Sequence, residues 1–230
     1  MRYLSFRFDD GFLKGAQTAA RLLAPDRGSF FVITSLIEEG SDTSENEFLR
    51  GGNFGSFSDW QELANAGQDV QPHSVQHLNL HELSEQEQVK EITGSLDFVR
   101  KIHDGPFVFC APYNRRVDLD FKALGLDGAG FRTSRYPRSP LINDLADFDR
   151  FELNAWVVFE SEVVRVLEDL ENIPDETWTI LAFHSLDGEG HQPWTSTQFS
   201  KLVAAVRDGG FSIETVADMI GRFATPDPGA

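Results

Sequence analysis

Apolar and polar positions repeat along the chain with two different periods. Short runs rich in β-branched and aromatic residues, such as Tyr3–Phe8 and Gly28–Thr34, are typical of strands in a parallel sheet. Segments with apolar residues three and four positions apart, such as Gly15–Leu23 before Pro25, are typical of amphipathic helices. Because the two patterns alternate, the sequence predicts an α/β fold around a parallel sheet, either open or closed into a barrel.

The remaining elements continue this alternation. Two further helix starts carry capping-box patterns, Ser58 with Gln61 and Ser84 with Glu87. The loop Glu38–Phe57 is long for a simple connection, so it is interpreted as either a functional lid or a disordered insert. The other strand candidates are DVQPH, PFVFC, GAGFRT, RFELNAWVVF, TWTILAFHS and FSIETV, and the other helices are predicted at Glu162–Leu170, Thr197–Arg207 and Ala217–Phe223.

Composition narrows the class of protein. A chain of 230 residues with 20 Phe can bury the core of one domain, which we expect over residues 1–223, with a frayed tail over 224–230. The 20 basic and 37 acidic residues give a net charge of −17, which disfavours nucleic acids and anionic lipids as partners. The sequence leaves the oligomeric state open.

The cysteine content and the lack of long apolar segments in the sequence bear on the protein's cellular location. The single cysteine, Cys110, rules out an intramolecular disulfide and fits a reducing compartment. The first residues show no signal-peptide pattern, and no apolar stretch reaches the length of a membrane-spanning helix. We therefore expect a cytoplasmic protein without membrane insertion, or a secreted one if a leader has been trimmed.

Reactive side chains follow four of the predicted strands. They are Asp9 and Asp10 after the first strand, His73 and His77 after DVQPH, Pro112 and Tyr113 after PFVFC, and His184 at the end of TWTILAFHS. Because the carboxyl ends of parallel strands form the active face of such folds, we expect these residues at one edge.

The segment HSVQH predicts a metal site. His73 and His77 face the same way if the segment forms a helical turn, and a strand-end carboxylate would complete a His2Asp set typical of catalytic zinc. His81 continues the four-residue spacing as a rival ligand, and two ordinary loop or core histidines are the alternative interpretation. Of the adjacent acids, one would bind the cation and the other would accept a proton from the attacking water.

These residues resemble the motifs of the polysaccharide deacetylases, carbohydrate esterase family 4. Arg7–Gly11 (RFDDG) matches the first motif, Thr-Phe-Asp-Asp-Gly, at all but its first position, and His73–His77 matches the second motif, His-Ser/Thr-x-x-His, fully. Cys110–Tyr113 (CAPY) stands where the third motif reads Arg-x-Pro-Tyr, and Leu181–His184 resembles the fifth motif. The motifs occur in the family's order and span nearly the whole chain.

The resemblance implies a single-domain, distorted (β/α)7–8 barrel of the TIM-like kind with one divalent ion. The ion would be Zn²⁺, with Co²⁺, Ni²⁺ or Fe²⁺ as alternatives. Carried over by position, Asp9 is the general base and His184 the general acid, while the backbone N–H of Tyr113 helps hold the oxyanion. The metal ligands implied are Asp10, His73 and His77.

Two departures from the family pattern stand out. Cys110 replaces the third-motif arginine that orients the catalytic aspartate, so we expect Arg132 or Arg115 to orient Asp9 instead. A buried thiol is favoured over a nucleophile for Cys110 itself. The fourth motif is not clearly present; Trp156 is the nearest tryptophan, and no partner for His184 is identified.

Residues near the motifs suggest substrate contacts. We expect Pro112, Leu186 and Trp194 to bind substrate, with Trp194 either stacking on a sugar face or packing in the core. The rim of the pocket is expected to include Asp187, Glu189 and His191, and the loop containing Arg50, Asn53 and Phe54 is a further candidate cover.

The sequence leaves three functions open. The first is a metal-dependent hydrolase that removes N- or O-linked acetyl groups from a carbohydrate. The second is a deformylase or cyclic amide or imide hydrolase on the same scaffold, acting on a small substrate. The third is a non-catalytic carbohydrate-binding protein, which loss of Asp9 or His184 would have favoured, yet both are present.

Overall fold

The computed structural model describes residues 1–37, 43, 46–115, 117–135 and 141–223, with backbone only at 132, 134 and 135. The predicted tail 224–230 and part of the predicted loop Glu38–Phe57 lie outside the described residues.

Strands and helices alternate along the described chain. The strands are β1 (Arg2–Phe8), β2 (Ser29–Val32), β3 (Asp69–Pro72), β4 (Val108–Phe109), β5 (Gly128–Ala129), β6 (Arg132–Arg135), β7 (Asn143–Asp144), β8 (Asn154–Val157), β9 (Thr177–Phe183) and β10 (Ser212–Ile213). The helices are α1 (Leu13–Leu23), α2 (Phe57–Asn65), α3 (Glu85–Val99), α4 (Val163–Glu171), α5 (Ser196–Asp208) and α6 (Val216–Phe223).

The main sheet curls into a half-barrel within a single α/β domain. Its parallel strands run in the order β3-β2-β1-β9-β8-β6, with β10 also paired to β1 and β7 antiparallel to β9. Strands β4 and β5 form a separate parallel pair. The arrangement confirms the predicted fold class, a distorted (β/α)7–8 barrel, and places β1 at the centre of the sheet.

The two faces of β1 have different neighbours because side chains alternate along a strand. Leu4, Phe6 and Phe8 are buried in the main hydrophobic core, which also includes residues of α1, α3 and α5. Ser5 and Arg7 belong to the opposite face, where the Trp178 ring nitrogen donates to Ser5 Oγ at 2.9 Å. The strand therefore carries polar groups along its inner face towards its carboxyl end.

Two local predictions need correction. Helix α2 is capped by Ser56 with Asp59, not by Ser58 with Gln61, because the Asp59 carboxylate accepts from the Ser56 backbone at 2.7 Å. The run GAGFRT is not one strand but two, β5 and β6, in different sheets. They separate at Gly130, where φ is +72° and a Cβ would lie 2.2 Å from the Phe151 carbonyl oxygen. The capping box of Ser84 with Glu87 is confirmed at the start of α3.

Candidate active site

Asp9, just beyond the end of β1, is held by a guanidinium from the same strand. Arg7 Nε donates to Asp9 Oδ1 at 2.7 Å, and Arg7 Nη2 donates to Asp9 Oδ2. The Asp9 backbone N–H continues the strand pairing by donating to the Phe183 carbonyl at 2.9 Å. This bidentate pairing fixes the plane of the carboxylate, since a guanidinium and a carboxylate match as planar forks.

Asp10 turns away from its neighbour and meets two imidazoles. Its φ of +74° is in the left-handed region, which rotates the side chain out of the strand direction. Asp10 Oδ1 lies 3.5 Å from His73 Nε2 and 3.3 Å from His77 Nε2. Burial raises the pKa of Asp10, but its contacts with the two imidazoles outweigh burial and hold that pKa well below its usual range.

The spacing of these three groups fits a divalent cation better than direct hydrogen bonds. Hydrogen bonds to nitrogen are mostly about 2.7–3.2 Å long, shorter than both separations. Ligand atoms around a tetrahedral zinc ion, each about 2.1 Å from the metal, lie roughly 3.4 Å from one another. Asp10, His73 and His77 are all buried and offer the nitrogen and oxygen atoms that zinc prefers. The residues present therefore fit the predicted ion.

A second group of three, Asp9, His73 and Cys110, also lies within metal-binding reach. His73 Nδ1, however, already bonds the Cys110 carbonyl oxygen at 2.8 Å, which leaves Nε2 as the free ligand atom. Burial raises the pKa of the Cys110 thiol, so the neutral form is favoured over the thiolate that binds metals. The same shift makes Cys110 a poor nucleophile. This second group is thus the weaker metal site.

The segment His73–His77 is not a helical turn, so that part of the sequence prediction is wrong. Its backbone has positive φ at Ser74 (+67°) and His77 (+57°). Two side chains hold it: Ser74 Oγ accepts from the His77 N–H at 2.9 Å, and Glu91 Oε2 accepts from Val75 and Gln76 at 3.1 and 2.8 Å. These contacts aim both imidazoles at Asp10. His81 is exposed and lies outside both groups.

The short segment after β4 brings two more residues to the cavity. Tyr113 and Asn114 both have positive φ, +58° and +54°, and the Tyr113 ring packs against His77 with centroids 4.8 Å apart. Burial is the main cause that raises the pKa of the Tyr113 hydroxyl. Strained backbone conformations of this kind gather at functional sites.

A cavity of about 70 Å³ joins these elements. It is lined by Asp9, Asp10, Phe48, His73, His77, Tyr113, Asn114, His184 and His191. The His191 ring meets Phe48 edge-on at 4.8 Å and His184 edge-on at 5.6 Å. The predicted rim residue His191 and the loop before α2 therefore do reach the site, the loop through Phe48.

Three residues predicted to contact substrate do not line this cavity. Trp194 is 1% exposed and donates from its ring nitrogen to the Val158 carbonyl at 3.1 Å, so its role is packing in the core rather than stacking on a sugar. Leu186 is fully buried in the same core cluster, and Pro112 is buried beside the cavity without lining it. Trp156, the tryptophan nearest to the missing fourth motif, is also buried in the core.

The residue that orients Asp9 is the main one that the sequence interpretation missed. Arg115 is exposed, and the Arg132 side chain lies outside the described residues, whereas Arg7 makes the contact. The signal was available, because residues two apart in a strand share a face and Arg7 is two before Asp9. Glu91 was also missed; it lies on a distant helix, and no spacing in the sequence links it to the loop.

The comparisons with known proteins agree with this architecture. Solved structures with a similar fold include the peptidoglycan deacetylase PdaC from Bacillus subtilis, at 17% identity and a TM-score of 0.57, over 94% of this chain and 89% of that one. Another is the family 4 carbohydrate esterase from Streptomyces lividans in complex with acetate, at 14% identity and a TM-score of 0.56, over 98% of both chains.

A third similar structure is BA3943, a family 4 pseudoenzyme from Bacillus anthracis, at 12% identity and a TM-score of 0.57, over 95% of this chain and 65% of that one. At such identities the likeness shows the fold alone. No curated protein matches the chain. In the described residues, none of the helices has the length and apolar character needed to cross a membrane.

Sequence comparison with protein families is more specific. The polysaccharide deacetylase model matches residues 2–128, which is more than half of the chain and includes β1, the HSVQH segment and Tyr113. On that match, the chain belongs to the polysaccharide deacetylase family, whose enzymes are carbohydrate deacetylases.

Proposed function

We propose that the protein is a metal-dependent hydrolase that removes acetyl groups, N- or O-linked, from a carbohydrate. The observation that carries the proposal is the meeting of three functional parts in one cavity. These parts are the Asp10–His73–His77 group, the oriented carboxylate of Asp9 and the imidazole of His184. Metal, base and acid are the parts that amide or ester hydrolysis requires.

Asp10, His73 and His77 would hold the ion, which we propose to be Zn²⁺ because two imidazoles and a carboxylate suit it. Co²⁺, Ni²⁺ and Fe²⁺ accept similar ligands. When bound, such an ion supplies positive charge that polarises a carbonyl group and acidifies water.

The proton transfers belong to side chains of this chain. Asp9 accepts the proton of the attacking water; both its oxygens bind Arg7, but a carboxylate has about four lone-pair sites and retains free ones. His184, partly exposed at the cavity, donates a proton to the leaving amine or alcohol. The Tyr113 backbone N–H donates to the carbonyl oxygen as negative charge develops there.

The cavity's size and lining constrain the substrate. A volume of about 70 Å³ holds a small acyl group, so the rest of a carbohydrate would lie outside the cavity, over Phe48 and His191. Among the described lining residues the only charged side chains at neutral pH, histidines aside, are Asp9 and Asp10. With a net charge of −17, the molecule favours neutral over polyanionic substrates.

The small volume of this cavity is the observation that keeps a second candidate function open. A deformylase or a hydrolase of cyclic amides or imides needs room only for a compact substrate, and the edge-on rings of Phe48 and His191 form part of the cavity wall. A cytoplasmic location, which stays a prediction, would also suit a small substrate. A non-catalytic binder is less well supported, because Asp9 and His184 both line the cavity.

Product release from the zinc-loaded protein tests the proposal. We expect acetate from N-acetylated chito-oligosaccharides or O-acetylated xylo-oligosaccharides, and no release by Asp10→Ala, which lacks a metal ligand. Turnover of cyclic imides or N-formyl compounds without acetate release would favour the second candidate. A wild-type protein that binds zinc yet turns over neither class would contradict both and favour a binding protein.

A further inference from the structure

Two departures from the family's motifs meet at one point in the structure. The first motif begins with threonine in the family and with Arg7 here, and the third begins with arginine in the family and with Cys110 here. Arg7 Nη2 lies 2.8 Å from Cys110 Sγ, although the two residues are 103 positions apart in sequence. The position that gains an arginine and the position that loses one are therefore in contact in the folded protein.

The geometry of β1 explains why Arg7 reaches Asp9. Both side chains are on the inner face of the strand end, because they are two positions apart. Nε and Nη2 of Arg7 contact the two different carboxylate oxygens of Asp9, with Nε 2.7 Å from Oδ1. Nη2 also lies 3.2 Å from Asn114 Oδ1, on the segment that carries Tyr113. One guanidinium therefore connects the first strand to the third-motif segment.

Burying the Arg7 guanidinium costs desolvation free energy, which argues against a purely structural role for this residue. The side chain is fully buried, and its Nη1 has no hydrogen-bond partner among the described residues. The guanidinium carbon lies 4.3 Å from the centre of the Phe131 ring, which offsets part of the desolvation. A buried ion pair of this kind is weak evidence for stability, since well-packed apolar residues often serve as well. The position of the Arg7–Asp9 pair beside the cavity indicates a role in catalysis instead.

The small side chain of Cys110 leaves space for the Arg7 guanidinium beside Asp9. It is small and buried, and a second long cationic side chain at that position would compete with Arg7 for the same carboxylate. With Arg7 and Cys110, as in the family pattern, one guanidinium is placed at Asp9. Here it comes from the first motif instead of the third.

We propose that Arg7 is the positioning residue of the active site, replacing the family's third-motif arginine by orienting Asp9 from the first strand. The role rests on the proposed hydrolase function. Arg7 touches neither substrate nor ion; it holds the Asp9 carboxylate so that a free lone pair faces the cavity.

The test is an exchange of the guanidinium between strands. Arg7→Thr should lower kcat by about 100-fold, because a small misplacement of a catalytic group costs that much. KM and zinc affinity should stay near the wild-type values, since neither ligands nor substrate contacts are altered. The double variant Arg7→Thr/Cys110→Arg supplies the family's arrangement and should recover at least about tenfold over Arg7→Thr, because residues in contact act non-additively.

Arg2→Thr is the matched control. Arg2 is at the other end of β1 and donates to the Leu170 and Gly209 carbonyls, so its loss should affect stability with no effect on kcat. Wild-type kcat in folded Arg7→Thr, or no recovery in a folded double variant, would overturn the proposal.

Crystal structures of zinc-loaded wild type and Arg7→Thr separate this proposal from the proposed function. We expect the Asp9 carboxylate to rotate or become disordered in Arg7→Thr, whether or not the double variant folds. An unchanged Asp9 would overturn the positioning role. If the wild type turned over no acetylated substrate while Asp9 moved in the variant, the proposed function would fail and the positioning role would stand.

Discussion

The two adjacent carboxylates, Asp9 and Asp10, have different tasks because their backbones differ. Asp9 continues the inner face of β1 and meets Arg7. Asp10 has a φ of +74°, a conformation rare for residues other than glycine, and meets His73 and His77. The strained residue is thus the one that faces the imidazoles, and the pair avoids placing two negative charges in one direction.

Replacing Asp9 with Asn separates proton transfer from metal binding. Asn keeps the size of the side chain but cannot accept the proton, so we expect turnover to fall by about 100- to 10,000-fold. Zinc affinity should be nearly unchanged, because the ligand atoms are on other residues. Kinetics with calorimetric zinc titration measures both quantities, and Asp97→Asn on the surface of α3 is the control. Undiminished turnover would show that the base is elsewhere.

At this scale the sequence predicted more of the metal site than of its support. It predicted that Asp10, His73 and His77 would lie together, and they do. It placed the support for Asp9 on Arg115 or Arg132, because Cys110 stands where the family's third motif has its arginine. Side chains alternate between the two faces of β1, so Arg7 and Asp9 share a face. That spacing identifies Arg7 as the partner of Asp9 only when this face is known to be the inner one.

At the scale of elements, helix α3 supports the histidine segment. Glu91 is buried on α3 and accepts two backbone N–H groups of the segment that joins His73 to His77. The segment is also held by the Ser35 N–H, which donates to the Val75 carbonyl at 3.0 Å, but among the described residues only Glu91 accepts from the N–H groups of Val75 and Gln76. The loop's shape therefore depends on a carboxylate 14 positions beyond the second histidine in sequence, on another element.

Replacing Glu91 with Ala should loosen this loop. Hydrogen bonds to a charged group contribute about 1.5–3 kcal/mol, so we expect a loss of roughly 2 kcal/mol in the free energy of unfolding. Zinc affinity should fall by roughly tenfold, as when supporting groups of a metal site are removed. Glu91→Gln keeps one oxygen acceptor and should lose less of both. Glu85→Ala, exposed on the same helix, is the control; equal effects in both Ala variants would contradict the role.

Gly15 tests the packing of α1 against the segment that follows β9. Alanine favours helices over glycine by about 1 kcal/mol, so propensity alone predicts stabilisation by Gly15→Ala. A Cβ at Gly15 would lie 2.1 Å from Ser185 Oγ and 3.0 Å from the Leu186 nitrogen, next to His184. We expect the clash to win, with a net loss of about 1–3 kcal/mol in chemical denaturation.

Gly221→Ala in α6 is the matched control, since the nearest atom to its Cβ would be 3.7 Å away. That variant should be neutral or more stable than the wild type. Stabilisation by both substitutions would show that α1 does not pack as tightly as described.

The periodicity of the sequence predicted most helices and strands but not the irregular segments that connect them. The alternation of strands and helices led to the α/β barrel, and β9 was found within TWTILAFHS because it is a continuous buried run. The conformation of His73–His77 and the break at Gly130 were missed, because each depends on a contact with a distant segment. The short antiparallel strand β7 was missed for the same reason: its two residues carry no period and pair with β9.

For the whole molecule, zinc should act as a stabilising ligand. The folded protein gathers Asp10, His73 and His77, whereas the unfolded chain does not, so binding shifts the equilibrium towards the native state. At zinc concentrations about 100-fold above Kd the gain is about 2.7 kcal/mol. For a chain of this size that corresponds to a rise in Tm of roughly 5–10 °C.

Thermal unfolding of the apo and zinc-loaded protein measures this shift. His73→Ala should abolish it together with activity, whereas His81→Ala should keep it, because His81 is exposed and outside the group. Magnesium should give little effect, since it prefers oxygen ligands. A full shift in His73→Ala would place the zinc elsewhere on this acidic molecule.

Anomalous diffraction at the zinc edge, from crystals of the zinc-loaded wild-type protein, locates the ion and its ligands in one measurement. We predict one strong peak about 2 Å from Asp10 Oδ1 and from the Nε2 atoms of His73 and His77. A peak bonded to Cys110 Sγ and Asp9, or no peak between Asp10 and the two histidines, would show that these three residues are not the zinc site.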